Sequence, residues 1–169
     1  MRHGNLFVIS GPSGAGKGTL VARLLREIPD AWVSMSVTTR KPREGEVDGV
    51  HYRFASPEEF QELVDEDGLL EWATYGGNCY GTPRATVEEH IACGDQVILE
   101  IDVQGGFQVR DKFPSAHLVF IEPPSLDVLE ARLRGRGTET EEAIATRMET
   151  ARVELSRKME YDIRLVNDD

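Results

Sequence analysis

Nine residues near the amino end, Gly11-Pro12-Ser13-Gly14-Ala15-Gly16-Lys17-Gly18-Thr19, follow the spacing G-x-x-x-x-G-K and then depart from it, with Gly18 where a hydroxyl residue is usual. A glycine-rich turn between a strand and a helix lets successive backbone N–H groups converge on phosphate oxygens, and the helix amino end adds its dipole. Lys17 supplies a mobile positive charge. The missing hydroxyl at position 18 removes a direct magnesium ligand. A metal here would rest on phosphate oxygens and water, with Thr19 one place later and Asp102, ending the apolar run 97–102, as the side chains at hand.

Two further groups of cations stand apart from this loop: Arg40, Lys41 and Arg43 in TTRKPREG, and Arg132, Arg134 and Arg136 in ARLRGRG, with Arg147 beyond. Bringing one phosphate against another costs about 4 kcal/mol per unit charge pair at about 4 Å and an effective dielectric of about 20. Arginine suits that task, because its planar fork holds phosphate oxygens in pairs and keeps its charge. An acceptor that is itself a phosphate needs no base, so catalysis reduces to positioning and neutralisation. None of the four histidines, His3, His51, His90 and His117, sits in a catalytic pattern, and they read as structural or surface residues.

The elements that must hold these groups alternate. Residues 6–10 form a short apolar run before the glycine turn, and residues 19–28 carry Leu20, Val21, Leu24, Leu25 and Ile28 at helical spacing. Further buried strands are predicted at 96–101, 117–121 and 162–166, and helices at 103–112 and 126–133. Such alternation implies a parallel sheet covered on both faces, with ligands at the carboxyl ends of its strands. Two excursions interrupt it. Residues 34–94 contain a capping box at Ser56-Pro57-Glu58-Glu59 and a cap with first-turn proline at Thr82-Pro83. Residues 133–158 place Gly135 and Gly137, as hinge positions, before a long charged helix with Thr138 and Glu141 at capping-box spacing.

Composition sets the outer bounds. A chain of 169 residues suits one domain, burying roughly 70% of its unfolded surface. Its apolar runs are too short to cross a bilayer or to form a secretory signal, so a cytoplasmic protein is expected. Cys79 and Cys93 lack the spacing of a zinc site or a disulfide framework and read as reduced thiols. A net charge of −11 argues against nucleic acid as a partner.

Six blocks in series, GPSGAGKGT, SVTTRKPREGEVDGVHYRF, LLEWATYGGNCYGTP, VILEIDVQG, LRGRGTETEEAIATRM and VNDD, resemble the guanylate kinase family, which transfers phosphate from ATP to GMP. The resemblance covers nearly the whole chain, from about Asn5 to Asp169. It implies an α/β P-loop three-layer fold with a parallel central sheet (about 1–33, 95–132 and 159–169), an inserted GMP-binding segment (about 34–94) and a lid (about 133–158). On the donor side it assigns ATP to residues 11–19, to Asn167 and to the cations Lys17, Arg132, Arg136 and Arg147. On the acceptor side it assigns the GMP phosphate to Arg40, Arg43, Tyr52 and Tyr80, and guanine to Ser36, Glu71, Thr82 and Asp102. Arg40 joins Lys17 and the three lid-side arginines as catalytic. Magnesium arrives with ATP and is held through phosphates and water.

Chemistry independent of the family agrees with Glu71, since guanine presents N1–H and an exocyclic amine on one edge and a carboxylate accepts from both. Adenine lacks that pair. The family also leads one to expect a further helix after Asn167-Asp168-Asp169, where the sequence stops. Three other readings compete: a non-catalytic guanylate-kinase-like binding module, a kinase for another nucleoside monophosphate, and a GTPase switch. The last is suggested by D-x-x-G at Asp102 to Gly105 and opposed by the lack of N-K-x-D.

Overall fold

The structure is a computed structural model and describes residues 3–137 and 139–168. The apolar run at the amino end forms β1 (Asn5–Ser10), and the glycine turn after it delivers the chain into α1 (Lys17–Glu27). β2 (Ala31–Val33) returns beside the sheet before the first excursion. That excursion contains β3 (Val37–Thr38), β4 (Arg53–Phe54), α2 (Pro57–Asp65), β5 (Leu69–Tyr75), β6 (Asn78–Pro83) and α3 (Arg84–Ala92). The core resumes with β7 (Gln96–Glu100), α4 (Val103–Lys112), β8 (His117–Glu122) and α5 (Leu126–Gly135). α6 (Glu141–Ser156), a 3-10 turn (Lys158–Glu160) and β9 (Ile163–Val166) complete it.

Five strands make one parallel sheet in the order β2-β7-β1-β8-β9, and four make a second sheet, β4-β3-β6-β5, in which β6 runs antiparallel to both neighbours. The period of two in a strand sorts the apolar residues of the first sheet between its faces. Leu6, Val8, Val97, Leu99, Leu118 and Phe120 pack toward α3 and α4 with Tyr161, while Ile9, Ile98, Val119 and Ile121 pack toward Val21 of α1. Helices on both faces explain why these strands read as continuous hydrophobic runs. α5 and α6 pair through Leu129, Leu133, Ile144 and Met148, and the second sheet packs Val37 and Leu69 on Phe60 of α2.

The first capping box forms as expected, with Ser56 accepting from the Glu59 N–H and the Glu59 side chain returning to the Ser56 N–H. The other two helix starts differ. Thr82 and Pro83 close β6 rather than open α3, and the Thr82 hydroxyl is given to Glu71 instead of to a helix end. Thr138 lies outside the described residues, and α6 is capped by Thr140, whose hydroxyl accepts from the Ala143 N–H. An acidic run with threonines two apart offers both phases of the cap, and packing of Ile144 and Met148 on α5 selects the later one. A largely apolar trough of about 330 Å³ lies between α1 and the sheet, with Phe7, Leu24 and Leu165 among its walls and Gln96 its single polar side chain. It shares no wall with the phosphate loop.

Candidate active site

The phosphate loop joins the carboxyl end of β1 to the amino end of α1. Its glycines are required by geometry at two places. A Cβ on Gly11 would stand 2.1 Å from the Ile121 carbonyl oxygen, and one on Gly16 would stand 2.1 Å from Asn167 Nδ2, at φ +93. α1 starts at Lys17 with no side-chain cap, so its first N–H groups remain open for an anion. Gly18 is different, since a Cβ there would meet nothing within 4 Å. Packing therefore permits a side chain at the position where the hydroxyl is missing. A cavity of about 380 Å³ opens above the loop, walled by Ser13, Lys17, Gly18, Thr19, Glu100 and Arg136 among others.

Two of the expected donor-side residues clamp the loop from behind. Asn167 donates from Nδ2 to the Ala15 carbonyl at 2.9 Å, and Arg132 donates from Nη2 to the Asn167 carbonyl at 2.9 Å. The end of β9 is thus tied to the loop through the last turns of α5. Arg136 follows α5 and faces the cavity, and Arg147 on α6 donates from Nη1 to Ser13 Oγ at 3.0 Å. Lys17, Arg132, Arg136 and Arg147, scattered over 130 positions of sequence, meet around one loop. Gly135 ends α5 and Gly137 adopts φ +66, both with open space about them.

The second cavity, about 400 Å³, has Ser36, Tyr52, Glu71, Tyr80 and Asp102 in its walls, joined by Tyr75 and by Thr150 of α6. Glu71 is only 7% exposed, and its Oε1 accepts from the Thr82 hydroxyl at 2.8 Å. Burial, reinforced by the charge of Asp102, pushes its carboxyl up to about 7. Asp102 caps α4, its Oδ1 accepting from the Gly105 N–H at 2.7 Å while Oδ2 accepts from the Tyr75 hydroxyl. Both its oxygens are engaged, and it faces this second cavity rather than the one above the phosphate loop. Thr19 lines the phosphate-loop cavity, and the carboxylate that lines it too is Glu100.

Arg40 lies over the Tyr52 ring, 5.2 Å from its centroid. Its Nη1 and Nη2 both donate to Glu46 at 2.9 Å, and Nη1 also donates to the Lys41 carbonyl. The Arg43 N–H donates to the same Glu46 carboxylate at 2.7 Å, and the Arg43 side chain is exposed. The Arg40 guanidinium, followed by the Arg43 backbone, holds Glu46's carboxyl down at about 2. With three of its five donors taken, Arg40 keeps Nε and the second Nη2 hydrogen, a lateral fork suited to two phosphate oxygens.

Sequence reading passed over Glu46, Tyr75 and Glu100. Glu46 lay in view, three and six residues beyond the two arginines it binds. Tyr75 and Glu100 carried no local signal, because only the facing of β5 against α4 and the meeting of two cavities at the end of β7 bring them in. Glu100 lines both cavities, so the carboxyl end of β7 is their common wall. Two histidines lie away from both anion sites: His90 stacks on Trp32 and bonds Asp95, and His117 stacks on Phe7, whereas His51 accepts from the Val47 N–H and lines a small cavity with Ser36, Tyr52 and Thr82. Among the described residues no cluster of His, Cys, Asp or Glu could hold a metal on protein ligands alone, and both cysteines are free.

The guanylate kinase family model matches residues 3–169. The chain belongs to the guanylate kinase family. A guanylate kinase of Synechococcus sp. (strain CC9311) is 56% identical over 162 residues, covering 96% of this chain and 85% of the relative. One from Desulfitobacterium hafniense (strain Y51) is 54% identical over 167 residues, covering 99% and 84%. The crystal structure of guanylate kinase from Anaplasma phagocytophilum superposes with a TM-score of 0.74 at 34% identity, over 99% of this chain and 79% of that one. That agreement extends to the α/β architecture with its parallel central sheet. Among the described residues no helix is long and apolar enough to cross a membrane.

Proposed function

We propose that this guanylate kinase family member transfers the γ-phosphoryl group of ATP to GMP or dGMP, giving ADP and GDP, in the cytoplasm. The observation that carries the reading is the shared wall: two cavities, one over a phosphate loop and one with a buried base-reading carboxylate, meet at Glu100. Two nucleotides bound there would meet phosphate to phosphate. Lys17, Arg132, Arg136 and Arg147, with the amides of residues 11–19 and with Asn167, serve the donor. Arg40, Arg43, Tyr52 and Tyr80 hold the acceptor phosphate, and Ser36, Glu71, Thr82 and Asp102 read guanine.

Selectivity follows from Glu71. Its carboxylate accepts from N1–H and the exocyclic amine of guanine, whereas adenine would leave a buried charge unpaired. The acceptor phosphate is already an anion, so no side chain has to remove a proton. The arginines offset the repulsion between the two phosphates and place the acceptor oxygen in line. Closure of segments 34–94 and 133–158 over the cleft would exclude water and suppress hydrolysis of ATP. Thr19 and Glu100, oxygen donors at the phosphate loop, fit a hydrated magnesium ion arriving with ATP. When bound, the metal neutralises charge on the transferring phosphate.

The test offers ATP and magnesium with GMP, dGMP, AMP, UMP, CMP and dTMP separately and follows ADP. Turnover confined to GMP and dGMP is expected. Turnover with AMP or a pyrimidine nucleotide at a comparable kcat/KM would refute the assignment of Glu71. Weak ATP binding without turnover on any acceptor would favour a non-catalytic binding module.

A further inference from the structure

Arg147 reaches the phosphate loop from the far side of the cleft and is itself held from behind. We propose that Glu139 is a positioning residue that fixes the Arg147 guanidinium over the phosphate loop, leaving its terminal pair of nitrogens for the donor triphosphate. This rests on the reading that Arg147 serves the donor phosphates.

Glu139 stands immediately before Thr140, the cap of α6, and its Oε2 accepts from Arg147 Nε at 2.7 Å. The carboxylate side chain is only 14% exposed, against 44% for the arginine. A bond at Nε occupies the lateral edge of the guanidinium and turns its end, Nη1 and Nη2, outward. Nη1 is already 3.0 Å from Ser13 Oγ, at the rim of the loop that would hold the phosphates. A free arginine side chain loses rotamer freedom when a ligand fixes it, and setting its direction before the ligand arrives lowers the cost of binding.

The neighbouring charges do not compete for this role. Glu141 bonds Arg134, which also holds Glu130, so Arg134 with its two carboxylates forms a separate group. Contact with Ser13 belongs to Arg147 and spans 134 positions of sequence. With the arginine side chain 44% exposed the pair is partly screened by solvent, and its removal is expected to leave the fold in place, which the unfolding curves check.

The experiment measures steady-state kinetics with ATP and GMP varied separately for E139A, E139Q, R147A and E139A/R147A, with thermal unfolding alongside. E139A is expected to raise KM for ATP about tenfold while KM for GMP stays within about twofold and the melting temperature is held. E139Q keeps an amide oxygen for Nε and should recover to within about threefold of the parent. The double variant should be no worse than R147A, because one residue acts through the other. An unchanged or lowered KM for ATP in E139A, beside a raised one in R147A, would overturn the inference, as would additive losses in the double variant. If R147A itself left KM for ATP unchanged, the donor role of Arg147 would fall and the inference with it.

Discussion

Replacing Glu71 by glutamine (E71Q) separates what the base-reading carboxylate does for binding from what it costs the fold. In the parent, burial and the nearby Asp102 raise its carboxyl from an ordinary 4.5 to about 7. The folded chain therefore holds its proton more tightly than the unfolded chain. Below about pH 4.5 both states are protonated and nothing is lost; as pH rises through 7 the folded state must ionise a buried group. The full difference corresponds to about 3 kcal/mol of stability absent above neutrality. The glutamine amide keeps an oxygen for Thr82 and carries no charge. At pH 8 the variant should be more stable by up to about 3 kcal/mol, or roughly 6 to 12 °C in melting temperature, and the gain should vanish toward pH 4.5.

Binding moves the other way. The amide nitrogen would face guanine's N1–H and amine, so two charge-assisted bonds of about 1.5 to 3 kcal/mol each are lost. The expected fall in kcat/KM for GMP is roughly 10² to 10⁴. Melting curves of parent and variant at pH 5 and pH 8, paired with GMP kinetics at pH 8, measure both. A variant that melts below the parent at pH 8, gains equally at both pH values, or keeps GMP kinetics within tenfold would refute the reasoning.

Two further outcomes follow from single contacts. E46A releases the end of Arg40 and the Arg43 N–H, so KM for GMP should rise about tenfold with KM for ATP unchanged. Because the Glu46 carboxyl titrates at about 2, its charge is complete above about pH 4 and that ratio should stay flat from pH 5 to 9, which a pH series of KM values checks. Y161F removes a buried hydroxyl lying 2.7 Å from Ser10 Oγ and should cost about 1 kcal/mol, a fall of roughly 2 to 4 °C in thermal unfolding. An unchanged melting temperature would show that the Ser10 bond contributes nothing.

Local sequence decided what local physics controls. The apolar runs around Leu6, Val97 and Leu118 read as buried strands and are so, whereas the run 162–166, read the same way, forms the exposed edge strand β9; the glycines at 11 and 16 announced backbone that no side chain tolerates, and Ser56 with Glu59 closed its own capping box. The order of motifs was enough for family and chemistry. Where two local solutions were nearly equal, packing chose: Thr82 turned from helix cap to partner of Glu71, and Thr140 took the start of α6. Tertiary structure alone decided which charges meet. Glu100 lies on both cavities, Asp102 is committed to Tyr75 and a helix end, and Arg147 bridges Glu139 and Ser13. Those contacts span up to 134 positions and depend on strand order and helix placement, which no window of sequence encodes, because the energy of a charge is set by what surrounds it after folding.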